Sequence, residues 1–209
     1  MKQSPLPSPF YPILPDLPGL ARLLPKGLSF VQLRYKHPDP ELRRRTVAEG
    51  LALARRHGCQ LVINDHWREA IDAGAEWVHL GQEDLATADL KALRRAGIKL
   101  GVSTHSEAEL AVGLAAAPDY LALGPIYPSG SKATGWAPQG LEAIGRWRRQ
   151  IPCPLVAIGG ITLERAPEVW AAGADAVAVI GDLLHHPHPE VRVEQWLAQL
   201  PTGPKEEVG

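Results

Sequence analysis

Short apolar runs recur along the chain at "FYPIL", "SFVQLR", "QLVIND", "EWVHLG", "KLGVST", "YLALGPI", "PLVAIGGI" and "AVAVIG". Most are continuous rather than alternating, as expected of strands covered on both faces. Between them the spacing becomes helical. "PELRRRTVAEGLALARRHG" is the clearest case, with Leu42, Val47, Leu51 and Ala54 near one stripe and arginines on the others. In "SEAELAVGLAAA", Ser106 and Glu109 have the spacing of an N-cap and its capping-box partner. Gly-Ala or Gly-Ile pairs in "AGAEWV", "AGIKLG" and "AGADAVAV" mark helix ends, because glycine readily takes the left-handed conformation found there.

Strand and helix therefore alternate, which implies a parallel sheet covered by helices. Eight such units in about 200 residues predict a single-domain (β/α)8 TIM barrel over residues 1–209. An open doubly wound sheet is the alternative, since periodicity does not show closure. The proline-rich start, residues 1–9, reads as a mobile arm entering the first strand, and residues 201–209 as a frayed tail.

In a parallel barrel all strands point the same way, so their C-terminal ends share one rim, and that rim carries the active site. Strand ends here supply Gln32, Arg34 and Lys36; Asn64 and Asp65; His79, Gln82 and Asp84; Ser103, Thr104 and His105; the loop "GPIYPSGSK"; then "IGGI" and "VIGD". Arg34, Lys36 and Lys132 suit an anion with several oxygens. Asp65 and Asp84 are hard oxygen ligands suited to Mg²⁺, which binds one or two carboxylates together with substrate phosphates. The two sets together suggest diphosphate chemistry. The glycines of "AIGGI" and "VIGDLL", each read as opening a helix, allow backbone N–H groups to meet a second phosphate.

Taken singly, each feature has a plainer reading. An aspartate at a strand end is commonly a helix N-cap, Arg34 could be a salt-bridged rim residue, and a Gly-Gly pair can simply ease packing. Joint placement on one rim is what favours a site. His185, His186 and His188 read as a surface loop between prolines. Of the six tryptophans, Trp136 alone is placed to reach a ligand.

Composition adds exclusions. Lysine plus arginine number 22 against 23 aspartates and glutamates in 209 residues, so nothing points to nucleic acid or an anionic membrane as partner. No apolar run approaches the roughly 20 residues needed to span a bilayer, and the first ten residues lack a secretory apolar core. A cytoplasmic protein with Cys59 and Cys153 as unpaired thiols is expected. Homo-oligomerisation is left open.

With these residues assembled, the chain resembles the thiamine phosphate synthase family. The resemblance runs from Phe10 to about Leu184, through "VQLRYK", "IND", "VHLGQEDL", "GVSTH", "DYLALGPIYPSGSK", "AIGGI" and "GADAVAVIG". It implies Mg²⁺-dependent transfer of a pyrimidine-methyl group. An aminopyrimidine methyl diphosphate would react with the ring nitrogen of a thiazole phosphate, giving thiamine phosphate and diphosphate. By this resemblance Arg34, Lys36, Asn64 and Lys132 hold the diphosphate, and Asp65 and Asp84 hold Mg²⁺. Gln32 and Ser103 line the pyrimidine side. Ser129 and Ser131 contact the thiazole phosphate or diphosphate, and Gly160, Ile180 and Gly181 offer backbone to the thiazole phosphate.

Three positions depart from the family pattern. The usual Thr-x-Thr is Ser129-Gly130-Ser131, the usual acidic residue in the second-strand motif is Tyr35, and the usual serine after strand eight is Gly181. Two other readings stay open: a sister-family thiazole tautomerase using His105, and a non-catalytic barrel that binds thiamine precursors. Lys36 and Asp84 speak against the tautomerase.

Overall fold

The computed structural model describes residues 6–128 and 135–201. Eight strands, β1 (Phe10–Leu14), β2 (Phe30–Leu33), β3 (Gln60–Asn64), β4 (Trp77–Leu80), β5 (Lys99–Thr104), β6 (Tyr120–Leu123), β7 (Leu155–Ile158) and β8 (Ala176–Val179), pair in parallel in chain order. The first strand also pairs with the last, Tyr11 opposite Ala178, so the sheet closes. That pairing decides between barrel and open sheet.

The helices outside the barrel are α1 (Leu17–Leu23), α2 (Pro40–Arg56), α3 (Trp67–Asp72), α4 (Gln82–Thr87), α5 (Leu90–Arg95), α6 (Glu107–Ala115), α7 (Gly140–Arg148), α8 (Ala166–Ala171), α9 (Gly181–Leu184) and α10 (Pro189–Ala198). Local signals set several boundaries. Asp16, Asp39 and Asp89 each accept from a backbone N–H of the first turn of α1, α2 and α5, which satisfies donors that a helix start leaves unpaired. Gly74, Gly97 and Gly173 have positive φ at the expected helix-to-strand returns.

Two expectations need correction. Leu42 lies outside the buried stripe of α2, which is Thr46, Val47, Gly50, Leu51 and Ala54; five residues before Val47, it stands about 140° around the helix from it. The "IGGI" segment does not lead directly into a helix. Residues 162–165 form a turn and α8 starts at Ala166, with Pro167 in its first turn, where the missing N–H costs nothing.

Strand residues sort by parity. Odd or even neighbours such as Phe10, Val31, Leu61, Val78, Val102 and Leu121 face the helices in the larger buried cluster, while Tyr11, Ile13, Phe30, Val62, Trp77, Tyr120, Ala122, Val156, Ala176 and Ala178 fill the barrel. The registers stack the inward side chains in layers of four from alternate strands. Lowest are Phe30, Trp77, Tyr120 and Ala176, then Tyr11, Val62, Gly101 and Val156. Above them come Gln32, His79, Ala122 and Ala178, and at the top Ile13, Asn64, Ser103 and Ile158. The lower half is aromatic and aliphatic, and the upper half carries the polar groups.

At the opposite end, Leu6 packs against the barrel filling and Ser8 Oγ accepts from Phe10 N. Residues 6–9 thus form the described part of the N-terminal arm. α10 closes the wall through Trp196, which is fully buried, stacks on Phe10 at 4.7 Å and donates from Nε1 to Asp182 at 2.8 Å. Trp196→Ala should cost about 3–5 kcal/mol of unfolding free energy, read as a lower denaturant midpoint at unchanged slope. A shift below about 1 kcal/mol would contradict this account of the wall.

Candidate active site

The strand ends converge as the alternation predicts. A cavity of about 860 Å³ opens at the C-terminal mouth of the barrel, lined by Gln32, Arg34, Asn64, His79, Ser103, His105, Gly160, Ile180 and Gly181 among others. That volume is in the range for small-molecule sites. Seven of the candidate residues therefore line one space: Gln32, Arg34, Asn64, Ser103, Gly160, Ile180 and Gly181. Ser129, Ser131 and Lys132 lie outside the described residues.

Lys36, Asp65 and Asp84 do not line the cavity itself; they form a group at its rim. Asp65 and Asp84 side chains meet there. Partial burial and the adjacent Asp65 carboxylate push the Asp84 carboxyl up, while His66 and Lys36 draw it back. Two facing carboxylates are disfavoured when both are ionised and nothing cationic lies between them. Asp65 has φ of 63°, unusual for a residue with a side chain. Its N–H bonds to His79 O at 2.9 Å, and His66 N and Trp67 N bond back to Asn64 O and Asp65 O, so the strand exit is held as a tight turn that points the carboxylate at α4.

The donor set fits Mg²⁺. Two carboxylates supply part of an oxygen shell and leave positions for water and phosphate oxygens, the usual arrangement for this ion. Among the described residues no group of three or more His, Cys, Asp or Glu is placed to hold a metal ion.

The opposite edge of the mouth is backbone. Gly159 and Gly160 have φ of 100° and 63°, and a Cβ on Gly160 would sit 2.5 Å from Pro128 O. The loop after β6 runs close beside them, with Ile126 N and Tyr127 N bonded to Ile158 O and Gly159 O. Arg165 lies over the Tyr127 ring at 4.5 Å and donates to Gly160 O. Gly181 begins α9, whose Asp182 is held by both Arg192 and Trp196.

Several side chains acquire partners or positions that sequence did not assign. His105 donates through Nδ1 to Glu109 at 2.8 Å and stacks on Trp136 at 5.4 Å. The same Glu109 oxygen takes the His105 N–H, so the reciprocal half of the expected capping box is shifted one residue, although Ser106 does cap Glu109 N. His66 Nε2 bonds to Tyr35 O at 2.8 Å, which ties the Arg34-Tyr35-Lys36 exit to that of Asn64-Asp65. His185 lines the cavity rather than an outer loop. Tyr11 and Tyr120, far apart in sequence, meet inside the barrel. Strand parity was the available signal, since both fall at inward positions.

His79 is buried, and burial followed by the facing Arg34 holds its pKa at about 4. The unfolded chain, with histidine near 6.5, thus takes up this proton first as pH falls. Stability should drop between about pH 6.5 and about pH 4, by roughly 3 kcal/mol from this group. Denaturant midpoints at the two ends of that window, in the parent and in His79→Asn, check it; equal pH sensitivity in both would contradict it.

Among the described residues no helix is long and apolar enough to cross a membrane. A sequence model described as thiamine monophosphate synthase matches residues 15–183. The thiamine-phosphate synthase of Rhizobium etli is 53% identical over 203 residues, covering 96% of this chain and 98% of that one. The thiamine-phosphate synthase of Enterobacter sp. is 45% identical over 194 residues, with 92% of each chain covered. Among solved structures, a thiamine phosphate pyrophosphorylase from Pyrococcus furiosus superposes with a TM-score of 0.79 at 25% identity, over 91% of this chain and 94% of that one. With the barrel, the rim and these matches in agreement, the chain belongs to the thiamine monophosphate synthase family.

Proposed function

We propose that this protein joins an aminopyrimidine methyl diphosphate to a thiazole phosphate, with or without a carboxylate on the thiazole, giving thiamine phosphate and diphosphate, and carbon dioxide as well where the thiazole carries the carboxylate, with Mg²⁺ as cofactor. What supports the reading is a cavity whose lining and rim carry two different groups suited to anions. Arg34 is on one side with Lys36, Asp65 and Asp84 at the adjoining rim; Gly160, Ile180 and Gly181 are on the other.

The bond from the methylene carbon to the diphosphate oxygen breaks, and its electron pair leaves with diphosphate. The thiazole nitrogen lone pair then forms the new carbon–nitrogen bond. This chemistry needs no general base. It needs stabilisation of the departing charge and exclusion of water. Arg34, Lys36 and Lys132 supply positive charge to the leaving group, and Asn64 supplies amide donors. Mg²⁺ held by Asp65 and Asp84 would neutralise diphosphate oxygens and so make diphosphate a better leaving group. Gln32 and Ser103 line the pyrimidine side. Ser129 and Ser131 serve the phosphates by their hydroxyls, and the exits of β7 and β8 hold the thiazole phosphate through backbone N–H groups. A cytoplasmic location belongs to the same reading, supported by the free, buried thiols of Cys59 and Cys153.

The test is diphosphate release from the pyrimidine diphosphate, alone and with thiazole phosphate. Release that requires both substrates supports condensation. Equal release from the pyrimidine substrate alone would make the protein a hydrolase and overturn the reading.

A further inference from the structure

Inside the barrel, five polar side chains form one unbroken chain. Gln32 Nε2 donates to Tyr11 Oη at 2.8 Å, Tyr11 Oη lies 2.9 Å from Tyr120 Oη, Tyr120 Oη lies 2.8 Å from His79 Nδ1, and His79 Nε2 lies 2.7 Å from Ser103 Oγ. Gln32 and Ser103, its two ends, both line the cavity; neither tyrosine does. Room for the chain is built into β5. A Cβ on Gly101 would fall 2.1 Å from Tyr120 Cζ and 2.4 Å from its Oη, so the absence of a side chain there is what admits the phenol.

Each phenol has one hydrogen and two partners, so the directions of these bonds are linked. With Gln32 donating, Tyr11 turns its hydrogen to Tyr120, and Tyr120 turns its own to His79 Nδ1. A neutral imidazole has one N–H, which is then on Nε2 and donates to Ser103 Oγ. The hydrogen that Tyr120 turns to Nδ1 needs a lone pair there, so the ring held in this chain is the neutral one. Ser103 accepts one bond from within the protein and keeps its hydroxyl hydrogen for the cavity.

We propose that Tyr11 and Tyr120 are positioning residues that act through His79 to fix Ser103 as a hydrogen-bond donor, so that the site selects a ring presenting a lone-pair acceptor, such as a pyrimidine nitrogen, to Ser103. The identity of that ring rests on the synthase reading; the bond order within the chain does not.

Two measurements test this. In the ligand-free parent protein, ¹⁵N spectra of the His79 ring should show the proton on Nε2; a proton on Nδ1 would overturn the proposal whatever reaction the protein catalyses. Tyr120→Phe keeps the ring and deletes the hydroxyl. It should convert His79 to mixed tautomers and lower kcat/KM for the pyrimidine substrate about tenfold, the scale of one lost buried hydrogen bond, with KM for thiazole phosphate unchanged. In a Ser103→Ala background the same substitution should cost nothing further. A full, additive loss in that background, or a folded Tyr120→Phe protein with unchanged tautomer and turnover, would reduce the tyrosines to packing.

Discussion

Asp84→Ala should lower Mg²⁺-dependent turnover by roughly 10²- to 10³-fold, the scale of removing one preorganised group that stabilises developing charge. Asp84 is half-buried at the start of α4, against Asp65, with Lys36 close enough to act on its charge. Removing it leaves Asp65 alone to hold the cation. The Mg²⁺ concentration needed for half-maximal rate should therefore rise as the rate falls. Asp65→Ala should behave alike, and because the two carboxylates serve one ion, the double variant should be scarcely worse than either. Stability should not fall with activity, since the substitution removes a carboxylate disfavoured by its neighbour. A Mg²⁺ titration with circular dichroism as a folding control reads all of this; turnover within twofold of the parent would contradict the metal assignment.

Gly160→Ala should cost about 10²-fold in kcat/KM for thiazole phosphate. The residue has φ of 63°, and the added carbon would meet Pro128 O at 2.5 Å and Tyr127 Cβ at 2.8 Å. These atoms are backbone or close to it and cannot swing aside as the tip of a long side chain could. The loop after β6 must move, although Ile126 N and Tyr127 N bind it to the end of β7. Both the Gly160 backbone and the Tyr127–Pro128 segment would be displaced together. The proposed pyrimidine side, on β2 and β5, should keep its affinity. Separate KM values for the two substrates distinguish this from general unfolding; equal losses for both would contradict the placement.

Much of the molecule was legible in the chain because a parallel barrel writes its strands as continuous apolar runs and its active rim as the polar residues that end them. The convergence of Gln32, Arg34, Asn64 and Ser103 follows from that rule, while Gly160, Ile180 and Gly181, which are not polar side chains, were singled out through the family resemblance. Closure was not legible, because the β1–β8 pairing joins segments with no local signal in common. Leu42 was misplaced by treating apolar character as burial without following its angle around α2. The start of α8 was read too early because Thr162 to Arg165 have helical composition while their backbone turns to bring Arg165 onto Gly160 O and Tyr127. The tyrosine chain was missed for a different reason. Tyr11 and Tyr120 look like core aromatics in their own strands, and their function exists only through the register that joins them.

The tautomerase reading loses its footing on the rim. Asp84 stands against Asp65, and curated relatives at 53% and 45% identity carry the synthase name. His105, held by Glu109 and Trp136, has an ordered place at the cavity without being needed for the proposed step.

Product identity tests the proposed Mg²⁺-dependent synthase activity most directly. Purified protein mixed with the aminopyrimidine diphosphate and thiazole phosphate, with and without Mg²⁺, should yield a species of the mass of thiamine phosphate in the Mg²⁺ sample alone. Folded protein that binds both substrates yet forms no such product, or forms it equally well after exhaustive metal removal, would contradict it.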